Sequence, residues 1–241
     1  MDIEILVKVA AYTGGGLAMG LGAIGAAIGE GYTAAQANLA VSRDPKNSGE
    51  IFKNMLVGQA VAESASIFAL VIAILLLFLD VPVPTLLKAA ALFGAGISMG
   101  LAAIGSGYGG GLAAGASCEG IARQPKTAAN VTTIILVGQA VSQTPSIFGL
   151  LVSFILMFKS FPESTALSAS MALLGAGICT GFGGIGPGIG NGMTAEGAVR
   201  WVARNVEHAG DLMRIMLVGQ AVSQSTAIYA MVVSLVLIFV V

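Results

Sequence analysis

Charge is what this sequence has least of. Charged residues make up 10% of the 241 positions, against roughly 25% in soluble domains. That is too little to coat a globular domain of this size. There is no basic excess either: the net charge is −1, so no face exists to neutralise a run of phosphates, and nucleic acid is excluded as a partner. A hydrophobic fraction of 56% excludes a disordered chain. Cysteine is scarce. Cys118 and Cys179 show no metal-ligand spacing and lie in or beside apolar segments, as small packed residues do, which argues against a disulfide or redox pair. A cleaved leader is not expected, because Met1-Asp2-Ile3-Glu4 is acidic where a signal peptide needs a basic start.

What is present is long uncharged sequence. No Asp, Glu, Lys or Arg occurs between Lys88 and Glu119, between Lys126 and Lys159, between Glu163 and Glu196, or after Arg214. Each stretch exceeds the ~20 residues that cross hydrocarbon. The chain reads as an integral membrane protein.

It also repeats itself. Leu-Val-Gly-Gln-Ala-Val begins at Leu56, Leu136 and Leu217. Upstream of each copy stands a glycine-rich block in the same register: Gly16, Gly20, Gly25, Gly29 and Gly31 in the first, Gly96 to Gly111 and Gly177 to Gly192 in the others. A polar turn separates the two blocks of each unit, at Arg43-Asp44-Pro45, Arg123-Gln124-Pro125 and Arg204-Asn205-Val206. Three units of two apolar runs give three tandem helical hairpins, over 1–80, 81–160 and 161–241, and six transmembrane helices. Glycines four apart let helix backbones approach closely, whereas the second helix of each unit ends in bulky aliphatics suited to lipid. The expected all-α architecture is therefore two-layered, small-residue helices inside and bulky ones outside. Six helices cannot close a wide ring, so several copies should associate. Apparent GxGxxG matches such as Gly20 to Gly25 lack the strand and the downstream acid of a dinucleotide site.

Basic residues are unevenly distributed. Arg43, Lys46, Lys53, Arg123, Lys126, Arg200, Arg204 and Arg214 flank the hairpin turns, and Lys8, Lys88 and Lys159 the opposite ends. The positive-inside rule places the turns in the cytoplasm and the termini outside. His208 reads as a solvated turn residue.

Glu30 and Glu63 are the carboxylates deep in apolar sequence, and charge at that depth defaults to function. From the first turn, Glu30 lies roughly 22 Å and Glu63 roughly 27 Å away at 1.5 Å per residue, so they meet near mid-membrane. Two bare carboxylates repel, so one should hold a proton or both should share a cation. Ser64 adds a hydroxyl, Ala62 and Ala65 leave room, and hard cations want oxygen. A protonated pair serving only as interhelical glue is the bland reading, but a neutral amide would do that at less cost. The other units carry Gly110 with Gln143 and Asn191 with Gln224 at these positions, none ionisable. The hydroxyl recurs as Ser64, Thr144 and Ser225, and the valine before it as Val61, Val141 and Val222. One ionisable site per three hairpins is expected.

The glycine-rich helix, the Arg-Gln-Pro turn and Gly58-Gln59-Ala60-Val61-Ala62-Glu63-Ser64 together resemble the ring-forming proteolipid, or c-type, component of rotary F-type ATP synthases, the Na⁺-coupled branch in particular, over essentially the entire chain. The triplication resembles V-type and archaeal ring proteins, in which fused hairpins lose some carboxylates. The resemblance implies a membrane ring of several copies, in the cell membrane. It implies a stator a subunit whose arginine displaces the ion, and a central stalk against the loops at Arg43, Asp44, Pro45, Arg123, Gln124, Pro125, Arg204 and Asn205. Na⁺ or H⁺ is then the transported ion, no organic cofactor is required, and ATP chemistry belongs to other subunits. By the same resemblance Glu63 matches the essential carboxylate, and Ser64 and Val61 the hydroxyl and carbonyl ligands. Glu30 stands where Na⁺-type members have glutamine. The site is completed by Thr144 and Val141, or by Ser225 and Val222 of a neighbouring chain. Phe68 replaces a tyrosine of the Na⁺-type pattern, Pro145 should bend the fourth helix, and the third turn lacks proline. A small secondary or multidrug exchanger using Glu63 is the alternative, and it would call for inverted repeats or broken helices. A structural pore would leave the carboxylates unexplained.

Overall fold

A computed structural model describes residues 2–162 and 167–240. Glu163 and the rest of 163–166 lie outside the described residues. The described chain is helical and without strands: α1 (Ile3–Arg43), α2 (Ser48–Phe78), α3 (Leu86–Arg123), α4 (Ala128–Ser142), α5 (Thr144–Phe158), α6 (Leu167–Val202) and α7 (Ala209–Val240). Taking α4 and α5 as one broken rod, six helical spans among the described residues are long and apolar enough to cross a membrane.

Local chemistry sets the ends. The Asp2 side chain accepts the N–H of Glu4 at 3.3 Å, and Thr85 Oγ1 that of Lys88 at 3.1 Å, each supplying an N-terminal cap. At the turns, Asp44, Gln124 and Asn205 leave the helical region at nearly the same angles, φ −136°, −146° and −137°, and one short 3₁₀ turn follows each. The third turn folds like the others although Val206 replaces the proline. At the opposite end two lysines cap helix C-termini. Lys88 donates to the carbonyl of Met157, and Lys159 Nζ to that of Ile238 at 2.6 Å. Lys159 also lies over the rings of Phe161 and Phe239. These cations meet the negative ends of the helix dipoles.

The fourth span does more than bend. The helix stops at Ser142 and restarts at Thr144, because Pro145 has no N–H to give the carbonyl of Val141.

α3 stands between α1 and α6 to form an inner layer. α2 lies over the groove between α1 and α3, and α4–α5 over the groove between α3 and α6; α7 has α6 alone beneath it. Two positions show why the inner helices are built of glycine. A Cβ on Gly111 would sit 2.3 Å from Gly29 Cα, and one on Gly192 would sit 2.3 Å from Gly109 Cα. The joints α1–α3 and α3–α6 are copies of one another.

The layers are stitched by one repeated glutamine. Gln139 Nε2 donates to the carbonyl of Gly110 on its own inner helix (2.8 Å) and to that of Gly58 on the preceding outer helix (2.9 Å). Gln220 repeats this with Asn191 (3.0 Å) and Gly138 (2.9 Å). Near the turns, Glu119 of α3 holds Arg123 at 2.5 Å, Arg200 of α6 at 2.8 Å and Arg43 of α1 at 3.5 Å. One carboxylate thus joins all three inner helices.

Candidate ion-binding site

Glu30 in α1 and Glu63 in α2 are brought to one level by Gln59, one turn before Glu63, whose Nε2 donates to the Glu30 carbonyl oxygen at 3.0 Å. Glu30 is half-buried and Glu63 exposed on the flank of α2. The Gln59 bond sets the two carboxylates, on adjacent helices, at one level of the hairpin. Neither has a hydrogen-bond or ion-pair partner among the described residues. Ser64 Oγ donates to the Val61 carbonyl at 2.7 Å, which leaves the lone pairs of the hydroxyl free to accept or coordinate. Two carboxylates, a hydroxyl and a carbonyl form an oxygen-rich set of the kind a hard cation binds. No third acid, histidine or cysteine joins them among the described residues.

The other hairpins show which way this position faces. Gln143 is 5% exposed; its Nε2 donates to the Ser106 carbonyl at 3.2 Å. Gly110 lies between that amide and Ala62 of the preceding outer helix, for a Cβ there would be 3.3 Å from Gln143 Nε2 and 3.2 Å from Ala62 Cα. In the third hairpin Asn191 Nδ2 reaches the Val141 carbonyl of the preceding outer helix at 3.4 Å. At both joints the site opens onto the hairpin before it. For Glu63 the described residues hold no such hairpin.

Val141 is thus directed to Asn191 and the third hairpin. Thr144 starts α5 beside the proline break. Val222 is 69% exposed on α7, and Ser225 Oγ donates to its carbonyl at 2.7 Å, as Ser64 does to Val61. The chain does not bring this pair to its own Glu63. One residue escaped the sequence reading. Tyr229 occupies in the third hairpin the position of Phe68 and Phe148, four residues after Ser225, and is 65% exposed. The 81-residue offset was the signal that could have found it.

The turns gather at one end. Arg43 and Arg123 are drawn toward Glu119, whereas Arg204 lies over the Trp201 ring at 4.9 Å, and His208 is exposed. At the other end, a cleft of about 450 Å³ lined by Asp80, Lys88, Lys159 and Phe161 among others includes neither carboxylate.

Three parallel glycine-packed hairpins whose helices are long and apolar enough to cross a membrane define a proteolipid-type membrane protein. The family of ATP synthase C subunits matches the chain three times, at residues 13–76, 93–156 and 174–237. The chain belongs to that family. It is 34% identical to the K subunit of the A-type ATP synthase of Methanocaldococcus jannaschii over 197 residues, 82% of this chain and 83% of that protein. Other relatives align over about a third of the chain. The ATP synthase c subunits of Natranaerobius thermophilus and Dehalococcoides mccartyi are each 49% identical over 78 residues, 32% of this chain and 90% and 97% of theirs. The three matches follow one another in the same sense, and α1, α3 and α6 all lie in one layer, unlike the inverted repeats of exchangers.

Proposed function

We propose that this chain is a rotor-ring subunit that carries Na⁺ on Glu63, with the copy before it in the ring completing the site. The observation that carries this reading is the pair of repeated joints. Each internal joint sets the position equivalent to Glu30 against the outer helix of the preceding hairpin, so the Glu30–Glu63 pair faces the third hairpin of another copy. That hairpin offers the Val222 carbonyl, the Ser225 hydroxyl and the Tyr229 phenol on an exposed flank. Tyr229 restores from the neighbour the tyrosine that Phe68 lacks.

The unlike ends of the chain support head-to-tail association. On α1, Gly16, Gly20 and Gly31 meet nothing within 4 Å, and neither does Gly186 on α6, although their counterparts at the internal joints are in tight contact. Gln59 has one carbonyl partner, where Gln139 and Gln220 have two; the Gly219 carbonyl of the preceding copy is the matching second acceptor.

Two carboxylates cancel their charge with one Na⁺ and one proton. The neutral site then passes lipid without the cost of a bare charge, at least ~2.5 kcal/mol at mid-membrane. A stator arginine displaces the ion, the turns face the cytoplasm against a central stalk, and the ring sits in the cell membrane.

Carbodiimide, which modifies protonated membrane carboxylates, tests the reading on the assembled protein. Modification is expected at Glu63, absent at Gln143 and Gln224, and slowed by Na⁺ increasingly as pH rises. Labelling that follows pH but ignores Na⁺ would make this a proton rotor.

A further inference from the structure

The third hairpin carries the same site architecture without a carboxylate. Asn191 and Gln224 stand where the first hairpin has Glu30 and Glu63. Asn191 is fully buried and Gln224 is 8% exposed. The amide nitrogen of Asn191 donates to Gln224 Oε1 at 2.8 Å and to the Val141 carbonyl at 3.4 Å. Those two oxygens are the counterparts of a Glu63 carboxylate oxygen and of the valine carbonyl ligand. The point where they converge is occupied by an NH₂ group, which has two hydrogens to give and carries partial positive charge.

The Val141 carbonyl sets the orientation of this amide, since only a nitrogen can face it, and among the described residues the Asn191 oxygen and the Gln224 nitrogen stay buried without partners. Turned over, Asn191 would press its own oxygen against the Val141 carbonyl oxygen, and against Gln224 Oε1 unless that amide turned with it, a contact that a cation between the oxygens would stabilise. The nitrogen-in and oxygen-in arrangements therefore exclude one another, and the structure has the first. The second hairpin has closed its site differently. Gly110 offers no side chain, and Gln143 turns to Ser106 in the space beside Ala62.

Resting on the cation reading of Glu63, we infer that Asn191 Nδ2 is a built-in surrogate for the transported cation, and that the third hairpin is a permanently closed, ion-free station. Neutral in every state, it crosses lipid without loading, and it presents the stator arginine with nothing to displace. Asn191 is here a positioning residue that denies the site to Na⁺. In a chain with one ionisable pair, a second oxygen cage of weak Na⁺ affinity would retain ions to no effect; filling it with a nitrogen removes that competitor.

Two measurements on the full chain in lipid nanodiscs test this. With asparagine labelled in ¹⁵N, and the side-chain signal of Asn191 assigned through Asn191→Ser, Na⁺ is titrated against K⁺ at constant ionic strength. The Asn191 amide is expected to stay unshifted, with its hydrogens protected from exchange, while Glu63 becomes resistant to carbodiimide. A shift of the Asn191 amide with Na⁺, or rapid exchange of its hydrogens, overturns the surrogate. A Glu63 indifferent to Na⁺ overturns the sodium reading instead, and amide protection still decides the role of Asn191. The second measurement uses Gln224→Glu with and without Asn191→Ala, Glu63 serving as the internal reference for folding. Held ionised by the asparagine amide, the introduced carboxylate should label about tenfold more slowly than in the double variant, the effect of one hydrogen bond to a charged group. Equal rates in the two variants would rule the surrogate out.

Discussion

Gln139 of the second hairpin donates to the carbonyl of Gly58 in the first at 2.9 Å, and the repeat of this bond, Gln220 to Gly138, makes each glutamine a fastener to the hairpin before it. Gln139→Leu removes two hydrogen bonds to carbonyls that also accept within their own helices, each bond worth about 0.5–1.5 kcal/mol, and should lower the thermal stability of the individual chain. Gln59→Leu frees one carbonyl inside the chain and should act mainly on assembly. Thermal unfolding of dissociated chains beside native mass spectrometry separates the two. Equal losses of chain stability would refute the distinction.

Glycine substitutions should divide in the same way. Gly111→Ala drives a methyl group into Gly29, and overpacking of this kind costs about 1–3 kcal/mol or more. Gly16→Ala meets nothing within the chain and should leave its fold intact while weakening contact between copies. A folded, assembled Gly111→Ala protein would contradict the packing described.

Glu119 is 15% exposed, and the three arginines around it 39–55%. Partial exposure discounts each pair, so Glu119→Gln should cost about 1–2 kcal/mol in total, less at high salt. Ion transport per ATP should be unchanged, since the cluster lies at the turns and not at the carboxylates. A salt-independent loss would mean that packing, not charge, is responsible.

Glu30→Gln removes the need for a proton beside Na⁺. ATP-driven Na⁺ transport by the native complex should fall at alkaline pH as the shared proton is lost, and the variant should lack that alkaline fall. Identical profiles would show that Glu30 does not share the site.

Gearing follows from the glutamines. A ring made of this chain alone carries one working carboxylate per three hairpins, so its ions per ATP should be about a third of those of an equal ring of single hairpins. Each ion can then be driven against a steeper gradient, at roughly 2.3 kcal/mol per charge per 100 mV. Measured stoichiometry of one ion per hairpin would mean that Gln143 and Gln224 sites conduct.

Much of this was legible in the sequence, for physical reasons. Period and hydropathy reveal hairpins because lipid imposes long uncharged helices, and Glu30 and Glu63 stand out because charge at that depth is expensive. Pro145 announced a bend in the fourth helix, and the structure makes of it a break at Gln143. The partners across each joint were not legible. That Val141 faces Asn191, and that Glu119 gathers Arg43, Arg123 and Arg200, depends on how helices far apart in sequence are rotated against one another. Glycine spacing does not encode that rotation. Nor did the missing proline at Val206 alter its turn, because Asn205 adopts the required angles unaided.

The joints α1–α3 and α3–α6 are closed within a single polypeptide. Any ring made solely of this chain must therefore contain hairpins in multiples of three. A miscounted ring differs from the correct one by three hairpins at once, and its curvature error falls on a few seams between copies while the covalently joined hairpins keep theirs. Covalent fusion thus acts as a counting device: the permitted ring sizes are widely separated, and preparations should be uniform in diameter where rings of single hairpins can err by one.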